Sequence, residues 1–309
     1  MAERNSDFLS FLDFGMFFNR DNKRGRGEDA VLQMLNKEAA MVGVFDGSGG
    51  SGARHCSKFK GMTQAYIASR ATADAVADWF TQDASPNGLK ERILSYLQFC
   101  DENYGEESLI MGSIIKKFPT TAAVAVCRLR DGKACAELYW AGDSRVYLLN
   151  EHGLAQLTRD DLDNLDAIEN DGVMTNMINL TQPFDLHMTS VPLETPCLVF
   201  AVSDGCFGYL PTPMDFEYLL LDTLLEADCV VSEGDRIGWQ NTLVERLRHF
   251  AADDCSMSCV AMGYGSFQNL KRSLRCRAVY LHKHYIEGLT TAEKKERWSL
   301  YKKDYYRYL

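Results

Sequence analysis

The chain lacks several of the features that would make it easy to classify. It has no stretch of about 18 uninterrupted apolar residues, which argues against a membrane span. The apolar opening FLSFLDFGMFF is broken by Asp13 and follows no basic leader, so it reads as a strand entering the fold and not as a signal peptide. No internal repeat and no low-complexity linker is present. There are ten cysteines but no Cys-x-x-Cys pair. The closest two, Cys255 and Cys259, sit in or beside an apolar run. That spacing gives neither a disulfide framework nor a zinc site, and it fits a reduced, cytoplasmic chain with buried thiols. The six histidines read as surface or packing residues, with His55 nearest the glycine-rich loop described below.

What is present is an ordinary globular composition, 46% hydrophobic and 25% charged over 309 residues. This is enough for one large domain with additions or for two smaller ones. The net charge of −10 is uneven: residues 266–309 hold eleven Lys/Arg against four Asp/Glu, leaving 22 against 39 in the rest. An acidic body thus carries a basic tail, which also holds six of the fourteen tyrosines. The tail reads as a helical hairpin that docks on the acidic body or on a partner. Without a basic patch on one face it gives no reason to expect nucleic-acid binding.

Apolar patterning predicts strands at the N-terminus, at Val31–Leu35, Met41–Asp46, Thr120–Arg130, Ala134–Gly142, Arg145–Leu149, Thr195–Val202 and Ser258–Gly265. Asp131–Gly132 marks a hairpin turn. Helical periodicity covers about 62–81, with Tyr66, Ile67, Ala71, Val76, Trp79 and Phe80 on one face. A second helix, Leu89 to about Tyr104, buries Ile93, Leu94, Leu97 and Cys100 and leaves Phe99 at its margin. Pro213–Ala227 and Asp235–Ala252 follow as helices. In the tail, Thr290 and Glu293 form a capping box just after Gly288, which predicts two helices joined there. The order of elements is that of an α+β protein with antiparallel hairpins and helices on the sheet faces. Residues 160–185 are acidic and irregular and read as a surface excursion, with the DDLD run at Asp160–Asp163 as a solvated turn.

The most informative stretch is MVGVFDGSGGSG, Met41–Gly52: an apolar strand that ends in an acid and breaks into glycines. Three further acids share that setting, Asp143 in YWAGDSR, Asp204 in FAVSDG and Asp253 in AADDCSMSCV. A carboxylate at a buried strand end is costly unless it is paired or bound to metal. One such acid is commonly a cap or turn former; four together call for another account. Carboxylates with an open backbone carbonyl, and no His or Cys beside them, suit Mg²⁺ or Mn²⁺.

These residues carry a resemblance. RGRGEDA, VFDGSGG, PTTAAVAV (Pro119–Val126), AGDSRVYLLNEHGLAQLTRDD (Ala141–Asp161), AVSDG and DDCSMSCV follow in order over about 14–265. Together they resemble the motifs of the metal-dependent protein serine/threonine phosphatases of the type 2C family, its bacterial members especially. The resemblance implies a four-layer α-β-β-α sandwich of two mainly antiparallel sheets flanked by helices. It also implies a phosphatase domain over 1–265, in which 160–185 is the family's flap, and a helical extension over 266–309. The activity implied is hydrolysis of phosphoserine or phosphothreonine in proteins, opposing a kinase, with two Mn²⁺ or Mg²⁺ ions and a weaker third.

By that resemblance Asp46 would bridge the two ions and the Gly47 carbonyl would complete one of them. Asp204 and Asp253 would hold the other, with Asp254 the alternative to Asp253. Glu28 would act through a metal-bound water. Asp143, with Asp204, would form the third site. Arg24 would clamp the substrate phosphate, and Arg26 competes for that role on spacing. No protein nucleophile is required, which agrees with the lack of a Cys-x5-Arg loop. Two positions depart from the pattern. Ser48 stands where eukaryotic relatives carry a histidine, and Gly208 where a further acid often follows the Ser-Asp-Gly. These departures and the extra helices motivate the alternative reading, a phosphatase-fold scaffold that binds a partner through its tail.

Overall fold

The structure, a computed structural model, describes residues 8–82, 88–105, 116–164, 166–168, 172–227 and 234–309. Two five-stranded sheets, antiparallel throughout, pack face to face. The first has the order β1 (Leu12–Arg20), β12 (Cys255–Met262), β11 (Cys197–Val202), β8 (Arg145–Asn150) and β9 (Gly153–Gln156). The second has the order β10 (His187–Pro192), β7 (Lys133–Ala141), β6 (Ala122–Arg130), β3 (Ala39–Phe45) and β2 (Ala30–Leu35). After the single turn α1 (Gly49–Gly52), helices α2 (Gln64–Gln82) and α3 (Leu89–Tyr104) cover the second sheet. On the first lie α4 (Pro213–Glu226), α5 (Gly234–Arg248), α6 (Phe267–Leu281) and α7 (Thr291–Tyr305). A four-layer α-β-β-α sandwich results.

The layering explains why β3 reads as a continuous apolar run: every one of its residues is buried. Ala40, Val42 and Val44 enter the core between the sheets, while Ala39, Met41 and Phe45 meet α2 and α3 on the other face. The β6–β7 turn has positive φ at both Asp131 and Gly132, the backbone that an Asp-Gly hairpin turn supplies at low cost. In α3, Ile93, Leu97 and Cys100 are buried, Leu94 is half-buried, and Phe99 is 59% exposed.

Several boundaries differ from expectation. The N-terminal apolar segment begins as a 3₁₀ turn, Phe8–Ser10, and becomes a strand only at Leu12. The last strand starts three residues earlier than the apolar run, at Cys255, because small polar residues alternate through it in a fully buried position. Strand β10 has no apolar run at all: HMTSVP lies at a sheet edge, pairs only with β7 and is largely exposed. The excursion after Asp160 is not wholly superficial. Ile178 is fully buried against the α2–α3 side and bridges Thr120. Nor is the DDLD run solvated throughout. Asp160 accepts three hydrogen bonds from the buried Arg145 guanidinium at 2.6–3.0 Å.

The tail helices share the core of the first sheet. Leu270, Leu274, Ala278 and Leu281 from α6 and Trp298, Tyr301 and Tyr305 from α7 join Phe200, Phe216 and Trp239 there. Both capping-box hydrogen bonds between Thr290 and Glu293 are made at the start of α7. Polar contacts reinforce the packing. Arg277 donates to both oxygens of Glu217, at 2.6 and 2.9 Å, and the Tyr301 hydroxyl donates to the same carboxylate at 2.6 Å. Tyr305 and Tyr147 hydroxyls meet at 2.8 Å beside Arg145. Towards the excursion, Trp298 Nε1 donates to Asp166 at 2.6 Å, and the Ala167 amide donates to the Tyr306 hydroxyl at 2.8 Å.

The Glu217 side chain has no exposed surface and the Arg277 side chain 8%. Breaking such a pair strands a buried charge, which costs about 3–5 kcal/mol. Arg277→Met is therefore expected to lower stability by about that amount in urea denaturation, and Glu217→Gln with Arg277→Met to recover part of it. An unchanged denaturation midpoint in the single variant contradicts this account.

Candidate metal centre

Strand ends from both sheets meet at one edge of the sandwich. There a cavity of about 410 Å³ is lined by six carboxylates: Glu28, Asp46, Asp143, Asp204, Asp253 and Asp254. No lysine, arginine or histidine lines it among the described residues. Each acid is held by its own turn. Asp46 follows β3, and its carbonyl accepts from the Thr121 amide and the Thr120 hydroxyl, both at 2.8 Å. Asp143 sits between β7 and β8, after Gly142 at φ +101°, whose amide donates to Asp161 at 2.9 Å. Asp204 opens a 3₁₀ turn at the end of β11, and its carbonyl accepts from the Gly208 amide at 2.6 Å.

At Gly49 a Cβ would meet only the end of the flexible Glu28 side chain, whereas on Gly47 it would lie 2.6 Å from the Ala65 carbonyl oxygen. Chain approaches that close leave no room for a side chain. Gly205 is tighter still, since its Cβ would fall 1.8 Å from the Asp254 carbonyl oxygen. Ser48 lines the cavity, and its hydroxyl lies 2.9 Å from that of Ser51.

Asp253 and Asp254 have different surroundings. Asp254 accepts the Asn22 amide at one oxygen and the Glu28 amide at the other, both at 2.6 Å. It ties both ends of the 22–28 loop to the start of β12. Among the described residues the Asp253 carboxylate accepts only the Asp254 amide, at 2.8 Å on Oδ1. Arg24 and Arg26 do not line the acidic cavity. Both line a neighbouring one together with Thr63, whose hydroxyl donates to Glu28.

One acid of the cluster escaped the sequence reading. Asp29 lies within the RGRGEDA motif, where Glu28 is the one acid given a role from sequence. Asp29 is 2% exposed and lies behind the cavity lining, and its Oδ2 has no hydrogen-bond partner among the described residues. Its position just after Glu28, next to the buried start of β2 at Ala30, was the available signal.

The acids raise one another's proton affinity. Burial pushes Asp46 well above the ordinary carboxylate range, with the charges of Asp29, Asp204 and Asp143 adding to it. Burial also raises Asp204, Glu28, Asp29 and Asp143, the last two to about 7. Beside Glu28 the Thr63 hydroxyl opposes the shift. An all-oxygen donor set with no cationic side chain among the described residues that line the cavity is what a hard divalent cation would satisfy. Among the described residues no three or more His, Cys, Asp or Glu side chains cage a single point. Magnesium-like ions do not need such a cage. They retain most of their waters and are held by one or two carboxylates each.

These carboxylates hold protons in the fold above the ordinary aspartate value of 3.8, Asp29 and Asp143 up to about 7. Between those limits the folded state binds more protons than the unfolded chain, so stability falls as pH rises through the window. Without divalent cations, Tm is expected to drop over that range, and added Mn²⁺ to reverse the drop. Thermal denaturation in chelator and in manganese checks this; an equal fall in both would contradict it.

No protein-family profile matches the chain, and no curated relative does. Solved structures do. The serine/threonine phosphatase Stp1 from Staphylococcus aureus is 16% identical, with a TM-score of 0.55 over 85% of this chain and 100% of its own. The PPM Ser-Thr phosphatase MsPP from Mycobacterium smegmatis, in complex with cacodylate, is 14% identical, with a TM-score of 0.57 over 82% of this chain and 100% of its own. The catalytic domain of the serine threonine protein phosphatase PstP, in complex with 2 manganese ions, is 15% identical, with a TM-score of 0.51 over 82% and 99%. The chain has the fold of these PPM serine/threonine phosphatases.

Proposed function

We propose that the chain is a divergent member of the PPM, or type 2C, family and a metal-dependent phosphoprotein phosphatase acting on phosphoserine or phosphothreonine. The observation that carries this reading is the convergence of six carboxylates, from four separate strand ends and the 22–28 loop, in one cavity of a phosphatase fold. Among described residues no helix is long and apolar enough to cross a membrane. The nine described cysteines are free and seven of them buried, which supports a reducing, cytoplasmic setting; a role in signalling opposite a Ser/Thr kinase would follow from the activity itself. Residues 1–265 would form the phosphatase domain, with 160–185 as its flap, and 266–309 an extension.

Asp46 and the Gly47 carbonyl, with Asp204 and Asp253, would hold two Mn²⁺ or Mg²⁺ ions. Asp253 is preferred to Asp254 because both Asp254 oxygens already accept backbone amides. Glu28 would act through water, and Asp143 would contribute to a third site. Two such ions supply charge neutralisation of the phosphate and a water of lowered pKa. The protein's own part is to hold these groups rigidly. Thr120 and Thr121 fix the peptide of Asp46, and Asp254 fixes the loop that bears Arg24, the residue assigned to the substrate phosphate. A guanidinium fork fits two phosphate oxygens.

The decisive experiment is hydrolysis of an aryl phosphate with and without manganese, by wild type and Asp46→Asn. Manganese-dependent turnover that falls by at least about a hundredfold in Asp46→Asn is expected, as for loss of a principal electrostatic group. Equal rates in all four conditions would leave the scaffold reading in its place.

A further inference from the structure

Beside the acidic cavity lies a second one, of about 200 Å³, with the opposite character. Arg24, Arg26, His55 and Lys60 line it, over Thr63 and Tyr66, and no carboxylate does among the described residues. Arg24, Arg26 and Lys60 are exposed and form no ion pair with any described residue. In a chain of net charge −10, a concave cluster of unpaired cations stands against the prevailing field.

The two loops that build this cavity are each tied to the acidic one. The Asp254 carboxylate grips the amides of Asn22 and Glu28, on either side of the arginines. Within that loop the Gly25 amide donates to Asp21 at 2.7 Å, and φ of +72° at Gly25 turns the chain between Arg24 and Arg26. The facing loop is the short hairpin of β4 (His55–Cys56) and β5 (Met62–Thr63). His55 Nδ1 donates across it to the Gly61 carbonyl at 2.6 Å, Lys60 sits at φ 54°, and Thr63 donates to Glu28. The cations are therefore held at a set position relative to the carboxylates.

We propose that this cavity is a second anion subsite, which takes a phosphate or carboxylate side chain flanking the phosphorylated residue of a peptide substrate. The identity of the substrate rests on the phosphatase reading above. Arg24, there assigned to the scissile phosphate, lines the same cavity. The two anions would therefore lie side by side along one arginine loop. Guanidinium and ammonium donors recognise phosphate and carboxylate alike through charge-assisted hydrogen bonds, with the arginine fork favouring phosphate. The subsite would also offset the repulsion of an acidic peptide by the acidic body.

The test uses the full chain with manganese and phosphothreonine peptides whose flanks are neutral, rich in Asp/Glu, or carry a second phosphate. Wild type is expected to prefer the anionic flanks by about tenfold in kcat/KM, chiefly through KM. The two anionic arms show which source is favoured. Lys60→Asn, which keeps a residue tolerant of left-handed backbone, should remove most of that preference and leave the neutral peptide within about twofold. No effect of flank charge in wild type, or a preference that survives both Lys60→Asn and Arg26→Gln, would overturn the proposal. A measurement without turnover separates it from the reading beneath it. The fluorescence anisotropy of a labelled doubly phosphorylated peptide with metal-free protein should show weakened binding in Lys60→Glu. If no peptide is hydrolysed yet binding depends on Lys60 and Arg26, the subsite stands and the phosphatase reading falls. Binding indifferent to both residues sinks the subsite whatever the activity.

Discussion

Carboxylates crowded into one cavity repel one another, and burial makes each harder to ionise. Around Asp46 this repulsion is severe, because Asp29, Asp143 and Asp204 all bear on it and no cationic side chain among the described residues lines the cavity. The arrangement persists only because the surrounding backbone over-determines it. Thr120 and Thr121 hold the Asp46 peptide, Gly142 holds the Asp143 turn, and Asp254 spends both oxygens on the loop that carries Glu28. A local destabilisation of this kind marks functional sites. A divalent cation would supply the missing counter-charge.

The sandwich makes the crowding possible. Two antiparallel sheets packed face to face bring the ends of β3, β7 and β11 and the start of β12 to a common edge, although these segments are far apart in the chain. Glycine at positions 47 and 205 lets the turns approach within distances that no Cβ would allow. The same edge separates charge by sign. Carboxylates from the sheets face one cavity, while cations from the 22–28 loop and the β4–β5 hairpin face the next. An anionic substrate would thus meet metal on one side and arginine and lysine on the other.

The tail is coupled to this edge through buried polar groups. Arg145, two residues after Asp143, is clamped by Asp160 at the root of the excursion and reaches the hydroxyls of Tyr147 and Tyr305. Trp298 and Tyr306 of the tail hold residues 166 and 167 farther along. Arg145 is held charged by Asp160 despite full burial. A satisfied network of this kind rigidifies what it joins. It joins the β7–β8 turn, the excursion and the last helix.

Local sequence was enough to recognise β3, α3, the Asp131–Gly132 turn and the Thr290–Glu293 cap, because each is a pattern of burial or backbone geometry within one segment. The strand-end acids were legible for the same reason. Strand β10 was not, since an exposed edge strand needs no apolar residues and is made by its partner β7. The difference between Asp253 and Asp254, the burial of Asp29, the pairing of Asp160 and the shared cavity of Arg24 and Arg26 were decided only by tertiary structure. A charged side chain's state depends on what lies opposite it. For Asp254 that is the Glu28 amide, 226 residues away, brought there by the stacking of two sheets and by nothing in the local pattern. The sequence by itself determined which acids end strands; the fold decided which of them share a cavity and which oxygens remain free.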